Sequence, residues 1–190
     1  LVPEIDVLAE LDAYVALDAV EREMTRRTRT FVAAHANAFE RTLQAGHVTG
    51  SAWIVDRLGT AAVLAHHRKL GKWLQLGGHA DGDRDVRRVA LREAREESGL
   101  VSLAPASDTI YDIDVHAIPA RGDEPAHAHY DLRFAFFGDP AEQPRANHES
   151  HAVAWISLLE IERYAIDDSV RRLVAKTAAL IARHGSCASR

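Results

Sequence analysis

Glu93, Glu96 and Glu97 put three carboxylates into a five-residue window, with Arg92 directly before the first. On a helix, positions i, i+3 and i+4 share one edge, one turn apart. Three like charges so placed repel each other by roughly 0.2–0.5 kcal/mol per pair. A hard cation reverses that balance. Mg²⁺ takes oxygen ligands at about 2.0–2.1 Å and often shares them with substrate phosphates. Held this way it neutralises phosphate oxygens, activates water and stabilises a leaving diphosphate. The plain alternative is a solvated helix face, where acidic and basic side chains crowd together without any ion. Just upstream runs Gly77-Gly78-His79-Ala80-Asp81-Gly82-Asp83. Glycines there let the backbone turn tightly and approach a ligand closely.

The elements that must position these groups follow from periodicity. From Asp85 to Ser98 the period is helical, with Val86, Val89, Ala90 and Ala94 on one face and Gly99 as a natural stop. Residues 51–57 and 61–67 predict short strands joined by a turn at Gly59. Residues 109–117, 128–137 and 151–158 alternate as strands do, and residues 167–184 predict a last helix with Val170, Leu173, Val174, Ala178 and Leu180 inward. Residues 5–45 read as helix, with a break required somewhere, because one rod of that length is unusual in a chain this size. No repeats are present.

With 190 residues the chain is long enough for one hydrophobic core and a small appendage. The formal charge of -5 with neutral histidines gives no basic surplus, so a large nucleic acid is not an expected partner. No apolar run approaches spanning length, and the opening segment carries charges where a signal peptide is continuously apolar, so no membrane is expected. Cys187, the lone cysteine, has no internal disulfide partner and fits a reducing compartment. A cytoplasmic location and a closed homodimer are the default expectations.

The segment from Gly78 to Leu100 resembles the signature of the Nudix hydrolase family. That pattern is Gly, five residues, Glu, seven residues, Arg-Glu, an apolar residue, any residue, Glu-Glu, any residue, Gly and an apolar residue. Arg92, Glu93, Ala94, Glu96, Glu97, Gly99 and Leu100 all fall in place. One position departs: Arg84 stands where the family has its first Glu, with Asp85 beside it. Asp85 either replaces that carboxylate after a small shift or caps the helix. The resemblance implies an α/β fold: a Nudix-like α/β/α sandwich with a mixed sheet, plus an N-terminal helical extension. The expected organisation is a helical segment over 1–46 packed on the main domain, a hydrolase domain over 47–184 and a flexible tail over 185–190. It also implies metal-dependent hydrolysis of a diphosphate linkage in a nucleotide-like or related small metabolite, with Mg²⁺ or Mn²⁺. Glu93, Glu96 and Glu97 would be ligands, with the Gly78 carbonyl a further one. Arg92 would orient carboxylates through its donor fork. Glu149, before the last strand, matches a loop Glu that ligates metal or acts as base in relatives, although a plain loop acid reads the same.

Other residues carry weaker signals. His66 and His67 end a strand, His79 lies in the glycine loop, and His116, His127 and His129 lie on or beside two strands expected to pair. Together they could bind phosphate, move protons or hold a softer metal; scattered histidines are more often simply hydrogen-bonded. For substrate contact His79 ranks first and His129 second, with Arg133 further along the same strand. Trp53, Trp73 and Trp155 read as core, and Trp73 could stack on a flat group. Two other readings use the same fold. One is an isopentenyl-diphosphate-isomerase-like enzyme, which needs an active-site cysteine that Cys187 does not supply. The other is a ligand-binding or regulatory module without turnover, which Arg84 keeps open.

Overall fold

The computed structural model describes residues 6–122 and 125–187. The first elements among the described residues are two helices, α1 (Val7–Ala13) and α2 (Ala19–Ala34). The break expected within 5–45 is made by local capping. Asp18 accepts from the Glu21 amide at 2.8 Å, and the buried Glu21 carboxylate accepts from the Leu17 amide and from the Tyr14 hydroxyl. These bonds offer the backbone an alternative to one continuous helix. Residues 35–45, expected helical, instead form turns, and the His35 ring closes α2 on the Phe31 carbonyl.

The remaining elements are β1 (Gly46–Val55), β2 (Ala61–His67), β3 (Trp73–Leu74), β4 (Leu76–His79), α3 (Val86–Ser98), β5 (Ala104–Pro105), β6 (Asp112–Ile118), β7 (His127–Phe137), β8 (Ser150–Ser157), a 3₁₀ turn (Ile161–Arg163) and α4 (Asp168–Cys187). β1 starts earlier than periodicity suggested, taking in His47, Val48 and Thr49. α4 runs through Cys187, and residues 188–190 of the expected tail lie outside the described residues. The architecture is α/β, a mixed sheet with flanking helices. The strands run in the order β3-β2-β1-β7-β5, with β4 on β1, β6 on β7 and β8 on β2.

Two compact units divide the chain. The first takes in the chain up to Ser51, Gly77–Ala90 and Thr109–Phe134. Its apolar core includes Leu11, Phe31, Val48, Val86, Val89, Ile113, Leu132 and Phe134, and Phe31 stacks on Tyr130 with centroids 4.0 Å apart. Gly50 lets the first turn of α3 close on β1: an added Cβ would meet the Val86 carbonyl oxygen at 2.8 Å. The second unit takes in Ala52–Leu76, Leu91–Asp108 and the chain from Ala135 on. Trp53 is fully buried there and donates through Nε1 to Thr177 Oγ1 at 3.0 Å. That bond sets the face of α4. Val170, Leu173, Thr177 and Leu180 are buried, whereas Ala178, expected inward, is exposed.

Candidate functional site

The carboxylate helix α3 begins where Asp85 accepts from the Arg88 amide at 3.0 Å, so this residue caps the helix. It ends at Gly99, whose φ of 69° is the left-handed stop that glycine supplies without a Cβ clash. Between them, Val86, Val89, Ala90 and Ala94 are fully buried, as the periodicity requires. That inner face fixes the carboxylates in a gradient of exposure. Glu97 is buried, Glu93 half-buried and Glu96 exposed. Arg92 Nη2 donates to Glu93 Oε1 at 2.7 Å. The donor set is entirely oxygen and anionic, which suits Mg²⁺ or Mn²⁺ and not a soft metal.

Ahead of the helix, Gly78 and His79 close β4. The turn that follows places Asp81 at φ 50° and Gly82 at φ 86°, and Arg41 forks onto the Asp81 carboxylate. Arg84, the residue that departs from the family pattern, donates to the Ala36 carbonyl at 2.9 Å and lies 5.2 Å over the Phe39 ring. It therefore ties the turns after α2 to the entry of α3.

A second concentration of polar groups lies in the first unit. Alternation along β1, β6 and β7 gives each strand one polar row: His47, Thr49 and Ser51; Asp112, Asp114 and His116; His127, His129, Asp131 and Arg133. The β6–β7 register sets Asp112 against Arg133, Asp114 against Asp131 and His116 against His129. Arg133, 1% exposed, pairs with Asp131 at 2.8 Å, Asp112 at 3.2 Å and Asp114 at 3.4 Å. Thr49 and Ser51 donate to Asp131. Burial works against the guanidinium charge, but the three carboxylates outweigh it and raise its pKa. The expectation that Arg133 contacts substrate thus gives way to a buried structural role, because its fork is spent on aspartates.

Beyond the ion network stand the histidines. His47, 2% exposed, has rings of His79, His127 and His129 within 5.0 Å of its own. Burial, then the neighbouring His79 and His127, pushes the His47 pKa down to about 4. Burial and the surrounding histidines push His129 to about 2. Both are neutral imidazoles at pH 7, the form that ligates metals. His47, His127 and His129 bring ligand nitrogens within 4.8 Å of one another, a group able to hold a divalent ion. His47 went unnoticed in the sequence because it precedes the strand as read there; the alternation His47-Thr49-Ser51 is the signal that would have found it.

The NUDIX domain family model matches residues 47–177. The chain belongs to the Nudix family. Among solved structures, this Nudix chain is similar to a NUDIX-family hydrolase from Clostridium perfringens at 26% identity and TM-score 0.51, covering 70% of this chain and 95% of that one. It also shares its fold with a C. elegans Ap4A hydrolase binary complex (17% identity, TM-score 0.51, 71% and 97% covered). A third likeness is to a MutT protein from Methanosarcina mazei Go1 (19%, 0.52, 72% and 96%). No curated protein sequence matches the chain. This is a Nudix-type hydrolase, and hydrolysis of a diphosphate linkage is the generic activity it carries. Helices α1 and α2 precede the matched residues. Among the described residues no helix is long and apolar enough to cross a membrane.

The other expected site residues of the Nudix chain sit as follows. Glu149 is exposed in the loop before β8, 3.7 Å from His148 Nε2. Trp73 is half-buried; His66 stacks on it at 5.2 Å and Tyr164 meets it edge-on at 5.4 Å, so part of its surface is already taken by the protein's own rings. His67 accepts from the amides of Lys69 and Leu70 through Nδ1, a turn-closing role. Trp155 donates to the Glu142 carbonyl at 3.1 Å and so packs structurally.

Proposed function

We propose that this Nudix-type hydrolase cleaves the diphosphate linkage of a nucleotide-like small metabolite, using Glu93, Glu96 and Glu97 of α3 to hold Mg²⁺, with Mn²⁺ as a substitute. The observation that carries this reading is the three-carboxylate edge of α3, with the helix's other face locked into the core. The Gly78 carbonyl is a further oxygen donor in the proposal. A bound ion would supply charge neutralisation at the phosphate oxygens and a lower pKa for the attacking water. The protein's own groups do the rest. Arg92 donates to Glu93, a contact that helps orient this carboxylate for a metal. Glu97 is buried at the helix end. Exposed Glu149 is the proposed proton acceptor for the attacking water, because its side chain reaches solvent. Trp73 is a proposed stacking surface at the edge that His66 and Tyr164 leave uncovered. The products are a phosphate monoester and a second phosphate-bearing fragment. The lone Cys187 supports placing the reaction in a reducing, cytoplasmic setting, and a homodimer is the proposed assembly.

The test is a panel of diphosphate-containing metabolites incubated with the full chain, with Mg²⁺ and with chelator, with products read by mass spectrometry. Glu96→Gln and Glu97→Gln run alongside. Cleavage that needs the metal and falls about 100-fold or more in both variants, close to 3 kcal/mol of barrier, is the expected result. Turnover that survives both substitutions would remove the carboxylates from the mechanism. An absence of turnover across the panel, with Mg²⁺ and Mn²⁺ both tried, would favour a ligand-binding module.

A further inference from the structure

We propose that His47, His127 and His129 form a nitrogen-donor site for a transition-metal dication of the Zn²⁺ class, chemically distinct from the oxygen donors of α3. Three observations in the first unit converge on it. The first is geometric. His127 Nε2 and His129 Nε2 lie 3.2 Å apart, and two nitrogens on one tetrahedral Zn²⁺, each at about 2.0–2.1 Å, are separated by roughly 3.3 Å. The His47 ligand atom joins them within 4.8 Å, a span that small ring rotations close.

The second is the state of the rings. His127 Nδ1 faces the Pro125 carbonyl at 2.9 Å. A carbonyl only accepts, so Nδ1 carries the hydrogen and Nε2 of the neutral ring holds the lone pair. His116 repeats the pattern: its Nδ1 faces the Asp114 carboxylate at 3.0 Å, leaving Nε2 as the basic nitrogen. A carbonyl or carboxylate on the far nitrogen is the outer-shell arrangement of metal-binding histidines. His47 is buried, yet neither ring nitrogen has a hydrogen-bond partner among the described residues. An imidazole placed so deeply with both nitrogens unanswered is explained by a ligand at one of them.

The third is charge. The polar row that carries the histidines continues into Asp112, Asp114 and Asp131 with Arg133 as their buried counter-charge. Three carboxylates against one guanidinium favour a cation in the neighbouring position and oppose a phosphate there. Imidazole donors then select Zn²⁺, Co²⁺ or Ni²⁺ over Mg²⁺ or Ca²⁺. The His79 ring, 4.9 Å from His47 and 5.2 Å from His129, is the nearest fourth ligand; His116 stands 5.4 Å from His129 at the rim.

The experiment uses the full chain stripped by chelator, with Zn²⁺ titrated calorimetrically in saturating Mg²⁺ so that oxygen sites are masked. One equivalent of Zn²⁺ is expected. The Co²⁺ form should show the visible bands of tetrahedral coordination, and X-ray absorption of the wild-type Zn²⁺ form should show an imidazole shell. His127→Gln and His129→Gln should weaken binding by about 100-fold or more, while Glu96→Gln and Glu97→Gln should leave it unchanged. The wild-type spectra decide the matter even where a histidine variant fails to fold. Lack of stoichiometric Zn²⁺, an oxygen-only shell, or binding lost in the glutamate variants and kept in the histidine variants would overturn the site. Because hydrolysis is not the readout, this result stands apart from the proposed activity.

Discussion

Arg133 shows how much one residue can hold. Its guanidinium reaches Asp131, Asp112 and Asp114, on β6 and β7, and Asp131 in turn accepts from Thr49 and Ser51 on β1. Ion pairs this deep add little net stability as a unit, but removing one partner strands the others in a medium that solvates charge poorly. Arg133→Met should therefore destabilise the protein by ~3–5 kcal/mol, seen as a lower urea midpoint. Arg133→Lys should fall between, since a point charge cannot fork onto three carboxylates. Equal midpoints for wild type and Arg133→Met would mean that the aspartates are neutral or solvated. Arg84 is the opposite case, an exposed arginine in the position of a family glutamate, engaged with a carbonyl and an aromatic face.

At the scale of elements, the decisive contact is α3 on β1. Gly50 has no side chain, and an added Cβ would stand 3.0 and 3.1 Å from Val86 Cγ1 and Val89 Cγ1, besides the close Val86 carbonyl. The backbone carbonyl cannot rotate away as a flexible side chain would. Gly50→Ala should push the first turn of α3 off the strand, at a cost of about 1–3 kcal/mol for overpacking. If α3 carries the metal ligands, the same shift should lower kcat by roughly 100-fold, because small misplacements of reacting groups are expensive. Steady-state kinetics and thermal melting of the variant check both effects. Full activity in Gly50→Ala would show that the helix tolerates displacement, or that its carboxylates are not the reacting set.

For the molecule as a whole, the buried histidines predict a weakness in mild acid. His47 and His129 are held below their ordinary pKa, to about 4 and about 2, by burial first and then by neighbouring histidines. The unfolded chain therefore binds those protons more tightly than the folded one. The stability they contribute is fully present above the unfolded value of about 6.5 and is lost as pH falls below it toward 4. Metal-stripped protein should lose stability on the order of a few kcal/mol between pH 6.5 and 4, measured by urea denaturation at stepped pH. His129→Gln should flatten that slope. A flat profile in the wild type would mean that the rings are hydrated and titrate normally.

Periodicity and spacing alone determined the helix at α3, its inner face of Val86, Val89, Ala90 and Ala94, its stop at Gly99, most of the strands, and the edge shared by Glu93, Glu96 and Glu97. These are local properties: each follows from residues a few positions apart on one element. The tertiary structure decided what depends on distant residues meeting. Alternation in HAHYDLRF reads equally well as a half-solvated strand, and only the pairing with β6 and β1 buries Asp131 and Arg133. His47 joins His127 and His129 across 80 or more positions of sequence, beyond the reach of any local pattern. Helices α1 and α2 are separated by side-chain bonds of Glu21 and Asp18, which composition does not distinguish from solvated charge. Local sequence settles what an element is; burial and the partners it brings settle what its polar side chains are for.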